Sequence, residues 1–367
     1  NINLDIKLNL RGYMMEISPK RILYLDEVRS LAIILVVVGH LTRLFSYDFN
    51  SWLFCSGFFS LTRVGVPLFF TVSGALLLTR KHVIEEFLKK RFKRVVLPFV
   101  FWIITYILIG IIFLNYDLTP TFLMDTAFGV GDYSAIFWFI WSLIGVYLLV
   151  PVVSSFIREY KKGAEYLILI TVILSLLYTI GFFDYPNMKY NFKVVFYFFP
   201  VFGYFILGSY LHNHEFKYSK KKSLGIGALL FIVGIIGHFT LIILKGWGST
   251  ALAPIDFFNI FVIAETAGLF IMFKYADVKM IKDSIKPLKQ QTLGKAIVLF
   301  SSCSFGIYFS HYILLRILFY CTPLSAILKT NAYLWLPVSS IILISVSWAL
   351  IWTMSKFPLL KIGSGVK

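Results

Sequence analysis

The sequence predicts an all-α, polytopic integral membrane protein of about ten transmembrane helices, with both termini cytoplasmic. Composition is the first reason. Hydrophobic residues fill 59% of 367 positions and charged residues 14%, against about 25% charged in a soluble domain, and the mean hydropathy is +0.81. The second reason is that apolar stretches long enough to cross a bilayer recur along the whole chain. The third is how cations are sorted between successive loops. Of 35 Lys and Arg, 27 fall in the amino-terminal segment, the even-numbered loops and the tail, and only Arg43, Arg63, Lys189, Lys193, Lys245 and Lys329 fall in the odd-numbered loops. Such alternation is the positive-inside pattern, and it sets the orientation. It also accounts for the net charge of +17 without invoking nucleic acid.

Taken in order, residues 1–24 are mixed in charge and hold no apolar core of signal-peptide length. They read as a cytoplasmic segment in which Met14 or Met15 is a possible natural start. The membrane domain is expected over 25–356 and a cytoplasmic tail over 357–367. The ten segments run 28–45, 62–79, 95–114, 135–153, 164–182, 192–211, 223–244, 255–275, 296–320 and 332–355. The first holds Arg29 and His40, eleven positions apart, which on a helix is about 20° past three full turns and a rise of about 16 Å. Both side chains therefore share one face. The second holds Ser73 and Gly74 near mid-depth. The third follows the cationic run Lys89–Arg94, and the fourth opens on Trp138 and Trp141. The seventh and eighth carry His238 and Glu265, and the ninth carries Tyr308, His311 and Arg316. Cys55, Cys303 and Cys321 have neither disulfide-framework nor metal-ligand spacing, so no metal is expected.

Ionisable residues inside a membrane are costly and face an interior or a polar cavity. Each has a structural alternative. Arg29 can snorkel to headgroups, Glu265 can pair with Arg or Lys on another helix, and His238 can be a satisfied core histidine. His311 can pack among Tyr308 and Tyr312. Ser73 and Gly74 can serve only to bring helices close, and Trp138 and Trp141 can be interfacial anchors. The run Lys89–Arg94 is either a lipid-facing anchor or a cradle for a polyanion, with Arg91 and Arg94 one turn apart.

At these residues the sequence resembles the membrane-bound acyltransferase-3 family, bacterial enzymes that acylate surface glycans. The family pattern is Leu-Asp, then Arg, ten residues and His, here Leu25-Asp26, Arg29 and His40. Next come Phe69-Phe70 running to Ser73-Gly74, the basic Arg91 and Arg94 followed by Pro98, then Trp138-Phe139 leading to Tyr147 and Pro151, and finally Ser304, Gly306, Tyr308 and His311. Together they cover 25 to about 320 in family order. Their wording is most like the branch that includes the enterobacterial common antigen O-acetyltransferase.

The resemblance implies transfer of an acyl group, usually acetyl, from cytosolic acyl-CoA to a hydroxyl of a cell-envelope carbohydrate or lipid-linked sugar, in the bacterial inner membrane. It implies His40 as general base, or second to that as the group that itself takes the acyl, Arg29 with Arg91, Arg94 and Lys90 on the CoA phosphates, and Asp26 orienting Arg29. His311, Glu265, Ser73 and Tyr308 are left to the acceptor or the oxyanion. Some family members carry a further extracytoplasmic domain after the tenth helix. The sequence runs to Lys367, so acceptor chemistry is expected of the membrane domain or a partner. Succinyl or longer acyl transfer, or a transporter for a glycan or small solute, are the alternative readings.

Overall fold

The computed structural model describes residues 22–160, 162–182, 193–247, 256–276, 287–320 and 330–366. The amino-terminal segment to residue 21 lies outside them, with Met14 and Met15. So do Cys321 and several loop cations of the charge count, among them Lys161, Lys189, Lys279 and Lys329. Within the described residues the regular structure is helical. The helices are α1 (Leu23–Thr42), α2 (Phe49–Thr62), α3 (Gly65–Leu77), α4 (Ile84–Arg91), α5 (Leu97–Leu114), α6 (Pro120–Phe128), α7 (Phe137–Glu159) and α8 (Gly163–Thr179). After them come α9 (Lys193–Asn213), α10 (Lys220–Lys245), α11 (Ile260–Tyr275), α12 (Pro287–Tyr320), α13 (Ala332–Met354) and α14 (Pro358–Ser364).

A helix overlies each of the ten apolar segments. Among the described residues six helical stretches are long and apolar enough to cross a membrane by length and composition: Phe49–Leu77, Ile84–Leu114, Phe137–Glu159, Lys220–Lys245, Leu293–Leu318 and Ala332–Met354. The protein is therefore a multi-pass membrane protein. Two of these stretches begin earlier than hydropathy suggests. α2 continues almost directly into α3 through Arg63 and Val64, and α4 runs into α5 through a π-helical turn, Phe92–Val96. Polar residues in α2 and the cations of α4 mask both extensions in the sequence.

Lipid-facing surface explains why the outside is as apolar as the inside. On α5, Val100, Ile104, Leu108 and Ile112 are exposed at four-residue spacing, while Phe99, Trp102, Tyr106 and Gly110 are buried on the opposite face. α1 is the exception. It carries Asp26, Glu27 and Arg29 in its first turns, and it packs against α2, α3, α11, α12 and α13. The helix that sequence marks as chemically loaded is thus the hub of the bundle.

Close crossings hold the rest. A Cβ added at Gly74 would lie 1.7 Å from the Phe205 carbonyl oxygen, and one at Gly208 would lie 1.9 Å from that of Thr71. α3 and α9 therefore meet backbone to backbone, and small residues make such a contact possible. The tail is no loose appendage: α14 packs on α5, α12 and α13, and the Trp102 indole donates to the Gly363 carbonyl at 2.8 Å.

Candidate active site

α1, α3, α7 and α12 enclose a cavity of about 440 Å³. Its walls draw on all four sequence patterns. Asp26 and Arg29 come from α1, Ser73 from α3, Arg91 and Arg94 from the end of α4 and its π turn, Phe139 and Tyr147 from α7, and Ser304 and Tyr308 from α12. These residues are up to about 280 positions apart in sequence, and the bundle closes them around one space.

Arg29 is held from both sides. Its Nη1 donates to the Asp26 carboxylate at 3.3 Å and lies 3.5 Å from the Ser301 hydroxyl, which itself donates to Asp26 at 2.8 Å. Asp26 and Ser301 are buried, whereas the Arg29 side chain keeps 27% of its exposure. A charge oriented by a carboxylate and still open to a cavity is arranged to meet an anion. Ser301 is a site residue that sequence reasoning missed. Its signal was present, since 301, 304 and 308 follow a helical i, i+3, i+7 stripe.

Arg91 lies over two rings, 5.1 Å from the Phe87 centroid and 5.2 Å from that of Tyr147. Attraction to the two ring faces holds the guanidinium at this place. Arg91 and Arg94 also line a second groove of about 450 Å³, with Lys90, Lys93 and Lys361. The two spaces share Arg91, Arg94 and Gly365. Lys90 therefore belongs to the outer groove and not to the inner cavity. A π turn, which widens a helix by one residue, sits at this junction, as such turns often do at functional sites.

The opposite end of the cavity is closed by aromatic rings. Tyr308 is buried, donates to the Ile136 carbonyl at 2.7 Å, and packs 4.8 Å from the Phe139 ring. The His311 ring centroid is 5.9 Å beyond Tyr308, and the His40 centroid is 5.3 Å from His311. Neither histidine is a wall of the cavity. His311 is fully buried with Nδ1 2.9 Å from the Ile307 carbonyl, and the described residues give its Nε2 no hydrogen-bond partner. A carbonyl only accepts, so Nδ1 carries the hydrogen and Nε2 keeps its lone pair in the neutral ring. His40 is only partly buried and packs against Tyr312 at 5.1 Å.

Other candidates go elsewhere. Glu265 is fully buried at the α10–α11 contact, where among the described residues its Oε1 comes within 3.8 Å of His238 Nδ1, beyond hydrogen-bond reach, and it is not a wall of the cavity. The contact depends on glycines: a Cβ at Gly234 would lie 2.4 Å from Glu265 Cγ. Gly74 serves the α3–α9 crossing, while Ser73 beside it faces the cavity. Trp138 stacks on Phe257 at 5.1 Å, and the exposed Trp141 donates to the Ala127 carbonyl at 3.0 Å. Among the described residues no cluster of His, Cys, Asp and Glu could hold a metal ion.

The model of a family described as an acyltransferase domain matches residues 22–352. The nodulation protein NolL of Mesorhizobium japonicum is 30% identical over 154 residues, a stretch that covers 40% of this chain and 40% of that protein. No solved structure matches.

Proposed function

Because the chain belongs to this acyltransferase family, we propose that it moves an acyl group, acetyl in the first instance, from cytosolic acyl-CoA to a hydroxyl of an envelope carbohydrate, in the bacterial inner membrane. One observation carries the reading. Arg29, Arg91 and Arg94 converge on a single cavity whose far end, Tyr308, is one ring away from the His311–His40 pair.

The donor enters from the cation-rich side. In this reading the outer groove, with Lys90, Lys93 and Lys361, and the shared Arg91 and Arg94 take the phosphates of CoA. Arg29, steadied by Asp26 and Ser301, takes charge deeper in. The thin pantetheine arm then follows the cavity past Ser73 toward Tyr308. A polar channel between helices is where such an arm can pass without exposing amides to lipid.

Transfer needs a base. The acceptor oxygen attacks the thioester carbonyl carbon while His40 takes the hydroxyl proton. The C–S bond then breaks, the tetrahedral intermediate collapses to the ester, and the CoA thiolate leaves with the proton from His40. His311, whose ring lies 5.3 Å from that of His40, keeps the lone pair of Nε2 for a donor. In this reading a His40 N–H donates to that lone pair and leaves the other nitrogen of His40 for the acceptor, as in a base oriented by a third group. Glu265, beside His238 away from the cavity, has no part in these steps.

The test uses purified full-length protein and radiolabelled acetyl-CoA. Release or transfer of label is expected, together with calorimetric CoA binding. Arg91→Ala combined with Arg94→Ala should weaken that binding by about 1.5–3 kcal/mol for each desolvated charge-assisted contact, and by far less for an exposed one. Unchanged CoA affinity in the folded double variant returns these arginines to the role of a lipid anchor.

A further inference from the structure

The inner cavity and the outer groove meet at Arg91, Arg94 and Gly365, which line both. Beyond that junction the groove has walls of its own. Lys90, Lys93 and Lys361 line the groove and not the cavity, and all three are exposed. Among the described residues no acidic side chain lines it. Like charges gathered on one groove repel, and a bound anion removes that repulsion. The rest of the wall is apolar, with Leu97, Pro358 and Ile362. Lysines beside an apolar wall suit a phosphorylated ring system better than a bare inorganic ion, since a ligand site pairs apolar surface with a few placed polar groups.

Lys361 reaches this groove because the tail is seated on the bundle. Trp102 of α5 donates to the Gly363 carbonyl at 2.8 Å, and a Cβ at Gly363 would lie 2.2 Å from the Phe101 ring. On the α12 side, a Cβ at Gly306 would lie 2.6 Å from the Ser364 carbonyl oxygen. Gly306 belongs to the fourth sequence pattern, and the tail occupies the room that its missing side chain leaves. Gly365 then turns the chain at φ +63°, a conformation that glycine adopts without steric cost, where a Cβ would lie 2.8 Å from the Phe305 ring. The tail is therefore one fixed side of the entrance, opposite the end of α4.

We propose that Lys90, Lys93 and Lys361 form a subsite for the 3′-phosphate of CoA, so that the tail helix makes the protein select the 3′-phosphorylated nucleotide over its dephosphorylated form. The inference rests on the acyl-CoA reading above and deepens it. CoA is built in the order of these spaces: a thin arm, a diphosphate, then a ribose that carries the 3′-phosphate and adenine. An arm in the inner cavity puts the diphosphate at the junction, beside Arg91 and Arg94, and the adenosine end in the outer groove. The three lysines that line only the groove then meet the one remaining phosphate, a monoester of about −1.5 to −2 charge at neutral pH, and the apolar wall meets adenine.

The experiment titrates purified full-length protein calorimetrically with CoA and with dephospho-CoA. CoA should bind about tenfold tighter, a difference of about 1.4 kcal/mol, and the preference should shrink as salt is raised. Lys93→Gln with Lys361→Gln should erase the preference, while Lys361→Arg, which keeps the charge, should retain most of it. Lys217→Gln with Lys221→Gln removes as much charge from exposed positions of another cation-rich loop and should leave the preference whole. Equal affinity of the wild-type chain for the two nucleotides overturns the proposal and returns the lysines to the role of lipid anchors. A preference that survives the Lys93 and Lys361 variant, or one that falls as far in the Lys217 and Lys221 variant, overturns it as well. Failure of the wild-type chain to bind either nucleotide overturns the donor reading, and this inference with it.

Discussion

His40 and His311 are held differently, and that difference sets the sharpest prediction at the residue scale. His311 has one nitrogen committed to the Ile307 carbonyl and no exposure, whereas His40 is partly open. His40→Gln keeps size and hydrogen-bonding capacity but takes up no proton, so it should lower transfer by roughly 10²–10⁴-fold while leaving CoA binding and Tm near wild type. His311→Gln should lower transfer less, since it removes orientation and not the base. Rates and melting curves of both variants decide the matter. More than about a tenth of wild-type rate in His40→Gln sinks the base assignment, and a larger loss in His311→Gln exchanges the two roles. Asp26 beside Arg29 was legible because i, i+3 neighbours on a helix always meet. Ser301 beside both was not, since no local rule links positions 275 residues apart.

At the scale of elements, the crossing of α3 and α9 is the contact least able to adapt. The Phe205 and Thr71 carbonyls occupy the places that side chains on Gly74 and Gly208 would need. Gly74→Ala should therefore force the helices apart, at more than the 1–3 kcal/mol of ordinary overpacking, and Ser73 would leave the cavity wall with them. Gly145→Ala on α7 is the control, because nothing lies within 4 Å of a Cβ there; removal of a helical glycine should be neutral or stabilising by about 0.5–1 kcal/mol. Detergent-solubilised yield and Tm of the two variants test this. Equal behaviour of both alanines would mean that the α3–α9 contact is looser than described. The sequence marks Gly74 only as a small residue after Ser73. That it carries the crossing, and that Ser73 lines the cavity, follows from the partner helix.

Across the whole molecule, one set of cations is read twice. Lys90, Lys93, Arg94 and Lys361 count toward the loop asymmetry and also line the groove that opens into the cavity. If the asymmetry sets orientation, groove and donor lie on the cytoplasmic side. Single cysteines at Asp117 and Lys221, both exposed, test this in a chain whose native cysteines are replaced by serine. The Asp117→Cys protein should react with an impermeant thiol reagent in intact cells, and the Lys221→Cys protein only after lysis. The reverse pattern would move the groove to the other face and remove cytosolic CoA as donor.

Periodicity, hydropathy and short-range spacing are local properties, and they decided the helical class, the apolar segments and the shared face of Arg29 and His40. Polar interruptions limited them even there, hiding α2 and the π turn before α5. The tertiary structure alone decided that Arg29, Ser73, Arg91 and Tyr308 share a cavity and that His40 stands beyond its end against His311 and Tyr312. It also put Glu265 beside His238. Such encounters depend on how helices cross, and the crossings depend on glycine contacts and side-chain volumes from distant parts of the chain, which no local pattern encodes.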